Sequence, residues 1–363
     1  MEHRAPEDAV ILIPSLEPDE RLPAYVQRLS ESGFGHIVVV NDGSGESYEP
    51  VFRKIAEIEN TVVLRHEINR GKGVALKTGY QYILDTWSDV SGVITADADG
   101  QHTVEDCTRL AEKLKEGKRA LYLGSRDFTL PGVPPKSRTG NRITSRVFQL
   151  LYGQYLPDTQ TGLRAFRREE LPFMIGVEGE RFEYEMKVLI ACSREKIPMI
   201  PVTIETVYED NNEGTHFHPV RDSVRIYKVI LGSFIRFMGV SLLCFVIDQL
   251  AAAVLREWLL PLLGLTAGSF WNIQISGWGA RVLSAVINFR LNRDLVFRVR
   301  GSQKNAAWRY AALCVGIICA SNLGVWLLSR IGMAGWLAKM LMDTALYIVS
   351  YRIQENWVFR EDR

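Results

Sequence analysis

An α/β domain followed by an all-α, four-helix transmembrane domain is the architecture this sequence predicts, and three observations predict it. Short apolar runs alternate with helix-compatible stretches over residues 1–233, the rhythm of a mainly parallel sheet covered by helices. From residue 234 that rhythm gives way to four apolar stretches of 19 to 21 residues, about the length a helix needs to cross a bilayer. Charge divides at the same place: residues 1–233 hold 29 basic and 35 acidic side chains, residues 234–363 hold 14 and 7. The net charge of +1 over 363 residues is thus a sum of opposites. An apolar content of 47% excludes a disordered chain, and the second half argues against a purely soluble enzyme.

The first strand is read at Ala9–Ile13, stopped by Pro14, and a helix follows over Asp19–Glu31. A second strand, His36–Val40, ends in Asn41-Asp42-Gly43-Ser44. A helix near Tyr48–Glu59, a strand at Thr61–Arg65 and a helix opening after Asn69-Arg70-Gly71-Lys72-Gly73 continue the alternation. Gly92–Ala96 is the next strand, closed by Asp97-Ala98-Asp99-Gly100-Gln101-His102; a helix at Val104–Lys115 and a strand at Ala120–Gly124 complete the series. Polar, Gly-rich clusters therefore stand at strand ends, where open α/β sheets bind ligands.

The spans are read at Phe237–Leu255, Phe270–Phe289, Tyr310–Leu328 and Ile331–Tyr351, whose internal charges are Asp248, Arg281, none, and Lys339 with Asp343. Arg290, Arg293, Arg298, Arg300, Lys304 and Arg309 fill the loop between the second and third spans, and Arg352, Arg360 and Arg363 the tail. Both segments belong inside by the positive-inside rule, which leaves the first domain and both termini in the cytosol. The N-terminal MEHRAPEDAV lacks the pattern of a signal peptide, in agreement. Over residues 221–233, Arg221, Arg225 and Lys228 alternate with Val224, Ile226, Val229 and Ile230, as in a helix lying on a membrane surface. The expected domains are 1–220, this interface helix, and 234–363. An internal repeat relates Asn288–Arg298 to Ser350–Arg360 at an offset of 62, and places Arg281 opposite Asp343. Those two are expected to face the bundle interior and contact each other or a lipid phosphate, with Asp248 and Lys339 beside them. Five cysteines without metal-like spacing argue against a disulfide framework and a zinc site.

Asp97, Asp99 and Gln101 follow a buried strand, and oxygen ligands so spaced can converge on Mg²⁺ or Mn²⁺ that also holds substrate phosphates. Alone, the same residues describe a turn equally well. Pro14-Ser15-Leu16-Glu17, Asn41-Asp42-Gly43-Ser44 and Gly71-Lys72-Gly73 give the other strand ends acceptors and open backbone for a nucleotide. No GxGxxG fingerprint is present, and no Walker Ser/Thr follows Gly71-Lys72-Gly73, which disfavours dinucleotide and ATP-loop readings.

In order, Ile13-Pro14-Ser15, Val40-Asn41-Asp42-Gly43-Ser44, Asn69-Arg70-Gly71-Lys72-Gly73 and Asp97-Ala98-Asp99 resemble the motifs of family 2 glycosyltransferases with the GT-A fold. Gly124-Ser125-Arg126 and Asp158-Thr159-Gln160-Thr161-Gly162-Leu163-Arg164 are similar to dolichol-phosphate mannose synthases and related polyprenyl-phosphate glycosyltransferases. The four-span part resembles the GtrA-like domain. The resemblance implies a Rossmann-like catalytic domain that moves a hexose, with inversion, from a nucleotide-sugar of GDP-mannose or UDP-glucose type to a dolichyl or undecaprenyl phosphate. It implies donor contacts from Pro14, Ser15, Glu17, Asp42 and Lys72, and metal and diphosphate contacts from Asp97, Asp99 and Gln101. Arg126 would reach the phosphates, so that Asp99 and Arg126 carry catalysis, and Arg126, Arg138, Arg142 and Ser145 would hold the acceptor phosphate. Asn41 stands where many relatives carry Asp. Two alternatives stay open: transfer to a lipid or glycan hydroxyl with Glu183 or Glu185 as base, and a lipid-sugar transporter with a regulatory first domain. The Gln-x-x-Arg-Trp motif of processive synthases is absent. A membrane is an expected partner, a nucleic acid is not, and a homo-oligomer is compatible with the sequence.

Overall fold

The computed structural model describes residues 7–130, 133, 135–205, 219–266, 268–297 and 305–359. The readings placed on Arg298, Arg300, Lys304, Arg360, Arg363 and the side chains of Arg221 and Arg225 lie outside the described residues. The chain divides into two units, Met1–Ile230 and Leu231–Arg363.

The first unit is built on one seven-stranded sheet: β1 (Ala9–Ser15), β2 (His36–Asn41), β3 (Thr61–Arg65), β4 (Gly92–Thr95), β5 (Leu121–Arg126), β6 (Arg164–Arg167) and β7 (Met199–Ile204). Their order is β3-β2-β1-β4-β6-β5-β7. Every residue of β1 and β4 is buried, as a strand covered on both faces requires. The connecting helices are α1 (Arg21–Glu31), α2 (Glu49–Ala56), α3 (Lys72–Thr86) and α4 (Val104–Lys115), with α5 (Pro135–Tyr152), α6 (Leu171–Gly176) and α7 (Glu183–Glu195) after β5. Leu22, Tyr25, Val26 and Leu29 of α1 recur at helical spacing and join Ile11, Ile13, Ile37 and Val39 in the core.

The sheet is mainly parallel, as the alternation predicts, with one departure. β6 runs antiparallel to both β4 and β5, with Thr95 opposite Arg164 and Leu123 opposite the same residue. Its direction sets the site. Because β6 is reversed, its beginning lies beside the ends of β4 and β5, and the preceding Asp158–Gly162 segment arrives where the other strands finish.

α8 (Pro219–Val254) opens in the first unit, which includes its residues up to Ile230; in the second unit it continues through a π-helical turn at Leu255–Leu259 into α9 (Leu260–Leu262). α10 (Phe270–Leu291), α11 (Ala306–Arg330) and α12 (Gly335–Ile353) follow. The segment read as an interface helix, 221–233, runs into the first expected span without a break. Residues 226–262 and 306–330 are long and apolar enough to cross a membrane. α10 and α12 match the second and fourth stretches in place but carry the internal charges.

The repeat has a structural counterpart. π-helical turns at Asn292–Val296 and Gln354–Val358 occupy equivalent positions, and the Asn292 side-chain amide donates to Gln354 Oε1 at 3.0 Å. Phe297 stacks on its equivalent Phe359 at 5.2 Å; Phe289 meets Phe359 at 5.5 Å, and Phe297 meets Tyr351 at 5.8 Å. Equivalent residues touching reciprocally are the mark of a local two-fold.

The expected Arg281–Asp343 contact is corrected. Arg281 lies 3.7 Å from Asp248 of α8, which also accepts from Ser284, whereas Asp343 pairs with Lys339 at 2.9 Å and accepts from Ser321 of α11. Each helix pair, α8 with α10 and α11 with α12, closes its own charges on the nearest polar groups. Accordingly, Asp248→Arg combined with Arg281→Asp should restore monodisperse protein in detergent size exclusion, with the singles lower by about twofold or more. A swap of Arg281 with Asp343 should restore nothing.

Candidate active site

The strand ends assemble a polar cluster from separate elements. Glu17, after β1, is exposed and held at φ 49°, a left-handed conformation costly for a non-glycine residue, with its N–H donating to Ser44 Oγ at 2.8 Å. Pro14 and Ser15 are buried strand residues paired with Val40 and Asn41, and Ser15 Oγ has no partner. Asp42 accepts from the backbone N–H groups of Arg70 (3.0 Å) and Gly71 (2.7 Å), just before α3. A carboxylate there suits the positive end of a helix. Gly43 makes this possible: at φ 76°, a Cβ would lie 2.2 Å from the backbone of Ile68.

Lys72, first residue of α3, donates to Asp97 at 2.6 Å and to Glu185 of α7 at 3.1 Å. Burial works against the ammonium, but Asp97 and Glu185 outweigh it and raise its pKa above the ordinary lysine range. Asp97 is likewise opposed by burial, yet Lys72 and His102 hold its carboxyl well below the usual range. Asp99 goes the other way: burial first, then the neighbouring Asp97 charge, push it up. Its Oδ1 accepts from the Gln101 N–H at 3.0 Å. His102 lies 3.3 Å from Asp97 through Nε2, and its buried Nδ1 has no partner.

Asp97 is approached by Gly162, just ahead of β6, where a Cβ would fall 2.3 Å from the carboxylate. The Gly162 carbonyl accepts from Thr95 Oγ1 at 2.7 Å. Arg164, buried in β6, donates to the carbonyls of Thr161 (3.0 Å) and Glu185 (2.8 Å), tying the reversed strand to α7.

At the end of β5, Arg126 forms a two-pronged ion pair with Asp158, Nε–Oδ2 2.7 Å and Nη2–Oδ1 3.3 Å. The Asp158 side chain is fully buried and that of Arg126 29% exposed. Next to the pair in sequence, Ser125 Oγ and Thr159 Oγ1 are buried without partners; on α5, Ser145 Oγ and Asn141 Oδ1 are likewise unpartnered, while the Asn141 amide donates to the Pro157 carbonyl. Arg138 donates to the Leu130 carbonyl, and Arg142 is exposed. α5 is held against the first turns of α8 by Thr144 with Tyr227 (3.2 Å) and by Tyr152 donating to the Ile230 carbonyl (2.8 Å).

Lys72, Asp97, His102 and Glu185 thus meet directly, with Asp99 beside them. Arg138 and Arg142 make no such contact, and Ser145 turns its hydroxyl inward. Glu183 instead accepts from the N–H groups of Glu180 and Arg181 at the start of α7, a capping role. Asp158 received no role from the sequence, although its motif was legible; nothing in the sequence around His66, which touches Asp42, singles that residue out.

Asp97 and Asp99 bring two hard carboxylate donors to one strand end, the kind of oxygen ligand a divalent cation takes. Two carboxylates repel at a strand end, and among the described residues no three His, Cys, Asp or Glu side chains suffice to hold a metal alone. Such a set suits a cation that completes its shell with diphosphate oxygens and water.

Residues 11–171 match the family model for glycosyl transferase family 2, and residues 236–359 that for the GtrA/DPMS transmembrane domain. The UDP-N-acetylglucosamine–dolichyl-phosphate N-acetylglucosaminyltransferase of Methanococcus voltae is 25% identical over 217 residues, covering 55% of this chain and 86% of that protein. The polyprenol monophosphomannose synthase of Mycolicibacterium smegmatis is 28% identical over 174 residues, 46% of this chain and 64% of that protein. Among solved structures, glucosyl-3-phosphoglycerate synthase from Mycobacterium tuberculosis aligns with a TM-score of 0.45 at 14% identity, covering 62% of this chain and 78% of that one.

Proposed function

We propose that this chain, a family 2 glycosyltransferase carrying a GtrA/DPMS transmembrane domain, moves a hexose with inversion from a nucleotide-sugar to a polyprenyl phosphate at the cytosolic face of a membrane. The observation that carries the reading is the placement of cationic and acceptor-rich groups at two adjoining stations. Lys72, Asp97 and Asp99 form one, and Arg126 with Asp158, flanked by the buried, unpartnered hydroxyls of Ser125 and Thr159, the other; the Asp158–Gly162 segment runs between them. The names of the relatives point to the same chemistry.

A phosphate acceptor is ionised near neutral pH and needs no strong base. The chain's tasks are then to hold two anions close and to meet charge developing on the departing diphosphate. Asp97, Asp99 and Gln101 would hold Mg²⁺ or Mn²⁺, which supplies a counter-charge for that diphosphate. Lys72 adds a fixed positive charge beside it, and Glu17 and Asp42 face the nucleoside. Arg126 takes the acceptor phosphate, with Arg138 and Arg142 along α5 and Ser145 on its inner face. All four candidate spans cross the membrane in this reading, with both termini cytosolic.

A second reading is favoured by one contact: Glu185 sits 3.1 Å from Lys72, within the cluster, where a base for a hydroxyl acceptor would stand. Purified full-length protein, given labelled UDP- and GDP-sugars with polyprenyl phosphate, should yield a lipid-soluble product. Glu185→Gln should keep at least about a tenth of that activity, since a general base contributes typically 10²–10⁴-fold. A loss beyond 10²-fold, with donor binding intact, would move the assignment to a hydroxyl acceptor.

A further inference from the structure

His66 is buried beside Asp42, with 5% of each side chain exposed, and its Nδ1 lies 2.7 Å from Asp42 Oδ1. Its Nε2 lies 3.0 Å from Thr78 Oγ1, on α3. A carboxylate only accepts, so Nδ1 donates to Asp42, while Nε2 shares a hydrogen bond with the Thr78 hydroxyl, which can donate or accept. Oδ1 of Asp42 therefore holds two donors, His66 and the Arg70 N–H, while Oδ2 holds one, the Gly71 N–H. Of roughly four lone-pair directions on a carboxylate, about one is left, on Oδ2. The ring also links the strand bearing Asp42 to the helix that opens with Lys72, because Thr78 lies on that helix.

We infer that His66, oriented by Thr78, is a positioning residue of the donor site: it locks the Asp42 carboxylate so that one oxygen alone offers a free acceptor direction to the nucleoside. The inference rests on the reading that Asp42 faces the donor nucleoside. Without the ring, Oδ1 keeps only the Arg70 N–H and Oδ2 only the Gly71 N–H, so both oxygens offer an acceptor direction and the ligand is no longer directed to one of them.

The test measures binding of UDP and GDP, whichever is tighter, to the full-length protein in detergent by calorimetry, alongside steady-state kinetics. His66→Phe should weaken nucleotide binding and raise the donor KM by about tenfold, with kcat within about twofold and the acceptor KM unchanged. His66→Asn, whose amide can donate near the Nδ1 position, should recover to within about threefold of wild type, and Thr78→Val should weaken binding about threefold. Should His66→Phe fail to fold, the Asn and Val variants carry the same comparison. Asp42→Ala separates the two levels. If it binds nucleotide like wild type, the reading of Asp42 fails and takes the inference with it. If it loses binding while the His66 and Thr78 variants keep it, the inference alone is overturned, as it is if these variants lower kcat without touching donor affinity.

Discussion

Asp99→Asn should cost about 10³-fold in kcat while leaving the fold intact, because on the proposed reading the change removes an anionic ligand of the cation that meets charge developing on the diphosphate, and little else. The Asp99 carboxylate makes one local hydrogen bond, from the Gln101 N–H, and an asparagine oxygen can accept the same proton. Its charge is repelled by Asp97, so neutralising it relieves an unfavourable contact in the protein alone. Far-ultraviolet circular dichroism and the thermal midpoint should therefore match wild type within a few degrees. Asp97→Asn is less clean, since Lys72 and His102 both lean on that carboxylate and lose its charge, leaving Lys72 with Glu185 alone as a counter-ion. Binding of Mn²⁺ in the presence of nucleoside diphosphate, followed by electron paramagnetic resonance, should weaken in Asp99→Asn alongside turnover. Near wild-type turnover with Mg²⁺ or Mn²⁺ present would remove Asp99 from the metal and diphosphate contacts.

How far the sequence reached can be read from β4 and β6. β4 was legible because Gly92–Thr95 is wholly apolar apart from its last residue and ends in a polar cluster. β6 was not: four residues, Arg164 to Arg167, with a charge at each end, carry no strand pattern, and only pairing between β4 and β5 makes them a strand. The reversed strand delivers Gly162 to Asp97 and Asp158 to Arg126, so much of the site geometry lay in the one element without a local signal. His66 was hidden for a related reason. It sits between Arg65 and Glu67 in a tract that reads as solvated, and is buried because Gly43 lets the following loop approach. In the second unit the repeat is visible in the sequence, but equivalence of position does not dictate pairing across it. Equivalent charges need share only depth; Asp343 finds Lys339 one helical turn away on its own helix.

The other large effect belongs to Arg126, where stability and activity must be separated. Arg126→Ala strands the Asp158 carboxylate, whose side chain is fully buried, and breaking a buried pair in this way typically costs about 3–5 kcal/mol. This variant should both lose transfer and unfold at lower temperature, which by itself would say nothing about acceptor binding. Neutralising both partners, in Arg126→Gln with Asp158→Asn, removes the stranded charge. An asparagine at 158 can still accept from the Gln160 N–H, which the wild-type carboxylate meets at 3.0 Å. The double variant should regain most of the lost stability and none of the activity, with kcat/KM for the lipid phosphate down about 10²-fold or more and donor affinity within about twofold of wild type. Recovery of activity together with stability would mean that Arg126 only holds the end of β5 in place. Loss confined to the acceptor, set against a Glu185→Gln variant that keeps turning over, would instead mark an ionised phosphate as the nucleophile and the guanidinium as its clamp.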